Sequence, residues 1–197
     1  MTDRPVVVYL VRHGRTGLNA AGVLRGHLDP PLDAVGEAEA KALGEIFAPV
    51  ALAAVVSSPL RRAVQTAGPI AGVTDALLAV DDELIDRDYG PWAGKPHTEV
   101  VERFGSLDAA PGVEPVPAFA ARAAQAIESI AQRWALAPVA IVAHDAVNRY
   151  ALAQLVPDLC PPDSIPQDTG CWNRLERTGS VWSAPITGAS PHDGRRP

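Results

Sequence analysis

A chain of 197 residues, 47% of them hydrophobic, is long enough to form one domain with a substantial core. Its formal net charge of −6 offers no basic excess for a nucleic-acid backbone or an anionic membrane, so a small molecule is the expected partner. Cys160 and Cys171 do not have the spacing of a metal site. The stretch 1–5 has no apolar region typical of signal peptides, so we expect a reduced, cytoplasmic protein.

The apolar pattern predicts alternating strands and helices. Short apolar runs bounded by Pro, Gly or Ser suit strands covered on both faces, and they occur at 6–11, 52–56 and 138–143. Three- and four-residue spacing of Ala, Leu, Ile and Glu predicts helices at 34–48, 59–71 and 117–135. This alternation predicts an α/β three-layer sandwich, with a mostly parallel central sheet and helices on both faces.

Local sequence features predict boundaries within this frame. Ser58 followed by Pro59 is a typical helix start, which puts Arg61 and Arg62 in a first helical turn. Glycines and prolines make 86–117 irregular, so we expect a small insertion there, with one short helix near 97–104. We expect residues 1–187 to form a single domain and 188–197 a mobile tail.

Polar residues follow the ends of the predicted strands. In chain order they are Arg12 and His13, then Ser57 and Ser58 with Arg61 or Arg62, and finally His144 with Asp145. Ligands of open α/β sheets bind beyond the carboxyl ends of the strands. We therefore expect two histidines and at least two arginines to meet at one site.

Two kinds of ligand are conceivable at such a site. Two histidines with a carboxylate such as Asp86 could bind a divalent metal ion. Arginines would repel that cation, whereas guanidinium groups match the oxygens of a phosphate. Positive charge near His13 would also lower its pKa and favour the neutral imidazole, which can act as a nucleophile. The cluster therefore predicts phosphoryl transfer to His13, with a phosphohistidine intermediate and no metal.

Several motifs resemble those of the histidine phosphatase superfamily, in its phosphoglycerate-mutase-like branch, and in the same order along nearly the whole chain. The stretch LVRHGRTGLN is similar to Leu-x-Arg-His-Gly-x-Thr-x-x-Asn, and GVLRGHLDPPLDAVGEAEAKAL is similar to the segment that follows it. The resemblance implies that Arg12, His13, Asn19 and Gly26 belong to the phosphate site.

The later motifs imply the remaining site residues. SSPLRRAVQTA resembles Ser-x-Leu-x-Arg-Ala-x-Gln-Thr-Ala and selects Arg62 rather than Arg61. LIDRDYGPWAGK resembles a segment in which a glutamate donates a proton, and Asp86 stands at that position. VAHDAVNR supplies the second histidine, His144. The single motifs are weak, but their joint order is specific.

The chain also departs from the family pattern. Asp86 is one methylene shorter than glutamate, and Arg15 stands where glutamate or glutamine is common. The nearby Asp88 and Glu83 therefore stay open as alternative proton donors.

These features together predict a metal-independent phosphomonoester hydrolase without a cofactor, acting on a small phosphorylated metabolite. Phosphoglycerate mutases of this superfamily usually carry a longer insertion, so a mutase is the alternative rather than the first choice. A binding module that recognises phosphorylated ligands without turnover is the second alternative. The oligomeric state is open, and a homodimer is compatible with the sequence.

Overall fold

The computed structural model describes residues 4–197, which contain one six-stranded sheet. The strands are β1 (Val6–Arg12), β2 (Ala54–Ser57), β3 (Leu77–Val80), β4 (Val139–Ala143), β5 (Trp172–Thr178) and β6 (Val181–Ala189). Their order is β3-β2-β4-β1-β5-β6, in which β1 to β4 pair in parallel and β5 and β6 pair antiparallel. The predicted mostly parallel sheet is confirmed.

Helices cover both faces of this sheet, as predicted. The helices are α1 (Gly17–Ala20), α2 (Ala34–Phe47), α3 (Arg61–Thr74), α4 (His97–Phe104), α5 (Val116–Arg133) and α6 (Asp145–Leu155). Successive side chains of a strand point to opposite faces, so Val8 and Leu10 pack with α5 and α6, whereas Tyr9 and Val11 pack with α2 and α3. The central residues of β1 are apolar because both faces of the strand are buried there.

The helix after β2 begins later than predicted. Ser58 donates its backbone N–H to Val142 at 3.0 Å, which continues the pairing of β2 with β4 by one residue. The cap position therefore falls on Leu60, and the helix begins at Arg61. Arg62 still lies in the first turn, as predicted.

The sheet also extends further than the apolar runs indicate. Strand β3 is an edge strand with three exposed apolar side chains, so it lacks the buried pattern that identified the other parallel strands. At the other edge, Ala189 is buried and pairs with Trp172. The predicted tail boundary at 188 therefore lies inside β6.

The stretch 86–117 carries α4, whose bounds of 97–104 match the prediction. It packs a small apolar cluster of its own around Leu24, Val100 and Ala110. Backbone hydrogen bonds join it to the loop after α1, since Leu24 donates to Lys95 at 2.9 Å and Gly94 donates to Leu24 at 2.8 Å. Across residues 4–197, none of the helices has the length and apolar character needed to span a bilayer.

Candidate active site

The first strand places His13 at the carboxyl edge of the sheet. The His13 backbone N–H donates to Ala143 at 3.0 Å, so the residue remains tied to β4 beyond the end of β1. Gly14 then lies against α2, where a Cβ atom would be 2.5 Å from the Gly36 oxygen. This close approach, which only glycine permits, holds the histidine loop against the helix.

The contacts of the His13 ring define its protonation. Nδ1 lies 2.7 Å from the Gly14 carbonyl oxygen, which can only accept, so the ring proton is assigned to Nδ1. Nε2 accepts from Arg62 Nε at 3.3 Å. Burial, followed by the charges of His144, Arg62 and Arg12, holds the pKa of His13 well below its usual value. A neutral imidazole with its lone pair on Nε2 is the form that can attack phosphorus.

Arg62 connects three parts of the site. Its guanidinium is fully buried and donates to the Gly26 and Leu28 carbonyl oxygens at 2.9 and 2.7 Å. The same group donates from Nη2 to Asp86 Oδ2 at 3.0 Å. Because an arginine has five donors in a fixed plane, this network sets the orientation of the guanidinium beside His13.

The second histidine follows β4 and faces the first. The ring centroids of His13 and His144 are 5.2 Å apart. Ser58 Oγ accepts from the Leu60 N–H at 3.3 Å and lies within hydrogen-bond distance, 2.7 Å, of His144 Nε2. His144 Nδ1 has no hydrogen-bond partner within residues 4–197. Burial is the largest cause that lowers the His144 pKa.

Asp86 is the carboxylate that reaches this cluster. Its side chain is 4% exposed, and Oδ2 lies 3.9 Å from His144 Nδ1. The two alternatives lie elsewhere, since Glu83 is exposed and Asp88 Oδ1 accepts from the Gly90 N–H at 2.7 Å. The geometry therefore distinguishes Asp86 from both neighbours.

Arg12 is held by a buried amide network that the sequence did not reveal. Its Nη1 donates to the Gln167 carbonyl oxygen. The Gln167 side chain accepts from Asn148 at 2.9 Å and donates to Asn173 at 2.7 Å, and all three amides are buried. These residues come from α6, a loop and β5, which become neighbours only in the folded chain.

Asn19 and Gly26 border the site but also have local structural contacts. Asn19 Oδ1 accepts from the Thr16 backbone N–H at 3.0 Å, which caps α1, and the residue lines the same clefts as Arg12. Gly26 has a φ of +49°, and a Cβ there would be 3.1 Å from the Arg87 oxygen. Its carbonyl is one of the acceptors that fix Arg62.

A cleft of about 440 Å³ adjoins the buried site at Arg12. Arg12, Arg25, Arg87 and Arg149 all line this cleft, together with two tyrosines, Tyr89 and Tyr150, among others. Arg25 is not among the residues predicted from the sequence, because nothing in the pattern around it distinguishes it from a surface arginine. In the described part of the chain, no group of three or more His, Cys, Asp or Glu side chains is arranged to hold a metal ion.

The sequence of this chain matches a known protein family. The family model of the histidine phosphatase superfamily (branch 1) matches residues 8–186. This chain belongs to that superfamily. The predicted resemblance is therefore confirmed, and the matched region contains both histidines of the site.

Curated relatives of this histidine phosphatase match it over different lengths. PhoE of Bacillus subtilis, an uncharacterized phosphatase, is 30% identical over 179 residues, or 89% of this chain and 90% of that protein. Several other curated relatives match about half of this chain, which spans 29% to 47% of their length.

Solved structures show the same fold. YhfR of Bacillus stearothermophilus has a TM-score of 0.85 at 28% identity, covering 94% of this chain and 98% of that one. A mycobacterial glucosyl-3-phosphoglycerate phosphatase in complex with VO3 has a TM-score of 0.84 at 26% identity, covering 93% of this chain and 99% of that one.

Proposed function

We propose that this protein is a metal-independent phosphomonoester hydrolase that transfers the phosphoryl group to His13 and then to water. The observation that carries the proposal is the setting of His13, a buried imidazole whose Nε2 accepts from Arg62 and whose ring faces a second histidine. Holding a nucleophile and its cationic neighbours in fixed positions lowers the barrier through orientation and electrostatic stabilisation.

Arg12, Arg62 and His144 bind the oxygens of the transferred phosphoryl group in this proposal. Arg62 now donates to His13 Nε2, so this contact is exchanged for a phosphate oxygen when substrate binds and Nε2 attacks. His144 donates its Nδ1 proton to a second oxygen. Asn19 and Gly26 complete the site at its rim, where Asn19 shares a cleft with Arg12.

Asp86 acts as the proton donor in the proposed reaction. The Asp86 carboxylate, which pairs with Arg62 in the free protein, takes the proton of the phosphate monoanion when substrate binds. As the P–O bond breaks, it gives this proton to the leaving oxygen, and it then takes a proton from the water that attacks the phosphohistidine. Its position 3.9 Å from His144 supports this role, because both groups then surround one phosphoryl group. Arg62 retains its hydrogen bonds to the Gly26 and Leu28 carbonyl oxygens during this cycle.

The partner we propose is a small phosphorylated metabolite in the cytoplasm, rather than nucleic acid or a membrane. The net charge of −6 supports this choice, because polyanionic partners would be repelled. The glucosyl-3-phosphoglycerate phosphatase with the same fold makes a phosphorylated small molecule a reasonable first class to screen. A homodimer remains a prediction, which light scattering tests.

The testing experiment measures inorganic phosphate released from phenyl phosphate in the presence of EDTA. We expect turnover by the wild type, loss in His13→Ala, and unchanged turnover in His192→Ala, a matched change at an exposed position near the C-terminus. Loss of turnover on chelation would contradict metal independence. Isomerisation of a phosphoglycerate without phosphate release would indicate a mutase, and saturable binding without any product would indicate a binding module.

A further inference from the structure

Two arginines of this protein, Arg12 and Arg25, have guanidinium N–H groups without a hydrogen-bond acceptor among the described residues. In Arg12 and Arg25, the Nη1 group donates to a backbone carbonyl, that of Gln167 and that of Val23. The Nε atoms of both residues are buried and have no hydrogen-bond partner within residues 4–197. Their Nη2 groups also make no hydrogen bond there. The Nε and Nη2 donors of each residue are therefore without a hydrogen-bond partner in the described part of the chain.

The charges of these two arginines are also uncompensated. Arg87 and Arg149, which line the same cleft, contact Asp108 at 2.8 Å and Asp145 at 2.6 Å. In the described part of the chain, neither Arg12 nor Arg25 contacts a carboxylate. Burying the donors of a cation without a hydrogen-bond partner is costly. Unpartnered arginine donors are therefore expected where a ligand accepts from them.

Arg12 and Arg25 line the same cleft. Arg12 stands beside His13, at the end where the phosphoryl group reacts, and Arg25 lines the wall of the same cleft near Tyr89. The Arg25 charge also acts on Arg62 and His144, which places it close to the buried site. A guanidinium edge matches the two oxygens of a carboxylate or a phosphoryl group in bidentate geometry.

We infer that the cleft binds a doubly anionic substrate, with the reacting phosphoryl group on Arg12 and a second anionic group of the same molecule on Arg25. The inference rests on the proposed function for the identity of the reacting end. It assigns Arg25 as a specificity residue for the leaving-group part of the substrate, which carries a carboxylate or a second phosphoryl group.

Measuring ligand binding to a variant that cannot hydrolyse the ligand tests this assignment separately from catalysis. In a His13→Asn background, calorimetry compares ethyl, propyl and butyl phosphate with the ω-carboxylated phosphates of the same chain lengths. Because the distance between the two anion positions is not fixed in advance, the series varies it. The corresponding α,ω-bisphosphates distinguish a second phosphoryl group from a carboxylate.

We expect at least one doubly anionic compound to bind about 10- to 100-fold more tightly than its plain alkyl partner. Arg25→Gln should remove this preference and weaken binding of the plain alkyl phosphates much less, whereas Arg25→Lys, which keeps the charge without the fork, should restore part of the preference. Arg133→Gln removes an equal charge from an exposed site in the last turn of α5 and should have no effect.

Two results would overturn the assignment. One is the absence of a preference at every chain length. The other is an equal loss for plain and doubly anionic compounds in Arg25→Gln, which would place Arg25 on the reacting phosphoryl group. Failure of the proposed function looks different, because the wild type would then release no phosphate while the binding preference stayed intact.

Discussion

Replacing Asp86 by Asn separates proton donation from every other property of this residue. The carboxyl group is buried, with Oδ2 3.0 Å from Arg62 Nη2 and 3.9 Å from His144 Nδ1. Asparagine has the same shape and retains an oxygen that accepts from Arg62, but it cannot give a proton to a leaving group. The substitution should therefore change the chemistry with little change in packing.

The magnitude depends on how much the leaving group needs a proton. General acid catalysis contributes about 10²- to 10⁴-fold, which corresponds to about 3 to 5 kcal/mol of transition-state stabilisation. We expect Asp86→Asn to slow hydrolysis of ethyl phosphate by about 100-fold or more. Hydrolysis of 4-nitrophenyl phosphate, whose leaving group departs as a stable anion, should fall by less than about 10-fold.

The assay compares kcat/KM for a series of aryl and alkyl phosphates in the wild type and the variant. A steeper dependence on leaving-group pKa in Asp86→Asn is the expected result. Glu83→Gln and Asp88→Asn are matched controls, because each neutralises a nearby carboxylate that does not contact Arg62. Equal slowing across the series would refute the assignment, as would a steeper dependence in Asp88→Asn instead.

Three further predictions concern the groups around this carboxylate. Arg62→Met should lower the free energy of unfolding by about 3 to 5 kcal/mol in urea titrations, because it leaves Asp86 buried without its partner. Adding Asp86→Asn should recover part of this loss. Additive losses from the two substitutions would contradict the pairing. Burial and the positive neighbours of His13 lower its pKa. NMR titration should therefore find the imidazole still neutral when the pH falls to the usual histidine pKa of about 6.5. Protonation of His13 at that pH would contradict the lowered pKa. Gly14→Ala should cost about 1 to 3 kcal/mol, since its Cβ would lie 2.5 Å from a backbone oxygen of α2, whereas Gly17→Ala meets nothing within 4 Å and should cost far less; equal losses would contradict the steric reason.

The local pattern of apolar residues predicted the strands that are buried in the folded protein. The apolar runs that became β1, β2 and β4 are covered on both faces, so their composition alone identifies them. The short helix at 97–104 was predicted with its observed bounds. Edge strand β3 was missed for the same physical reason, because exposed positions leave no continuous buried run.

Contacts between distant segments were harder to predict. Ser58 was interpreted as a helix cap from its neighbour Pro59, yet its hydroxyl lies 2.7 Å from His144, 86 positions along the chain. The unpartnered donors of Arg25 likewise depend on the residues that surround it in the described part of the folded chain, which the sequence does not show. Residues that follow strand ends, such as His13 and His144, could be brought together from sequence because parallel strands end at one edge of the sheet.

Detection of phosphohistidine at His13 tests the central proposal most directly. The protein is mixed with excess phenyl phosphate in EDTA and quenched in alkali, which preserves a phosphorus–nitrogen bond, and mass spectrometry then locates the phosphoryl group. We predict one phosphoryl group per chain on the peptide that contains His13, formed at a rate that supports turnover and absent in His13→Ala. Turnover without this species, or a phosphoryl group on another residue, would contradict the proposal.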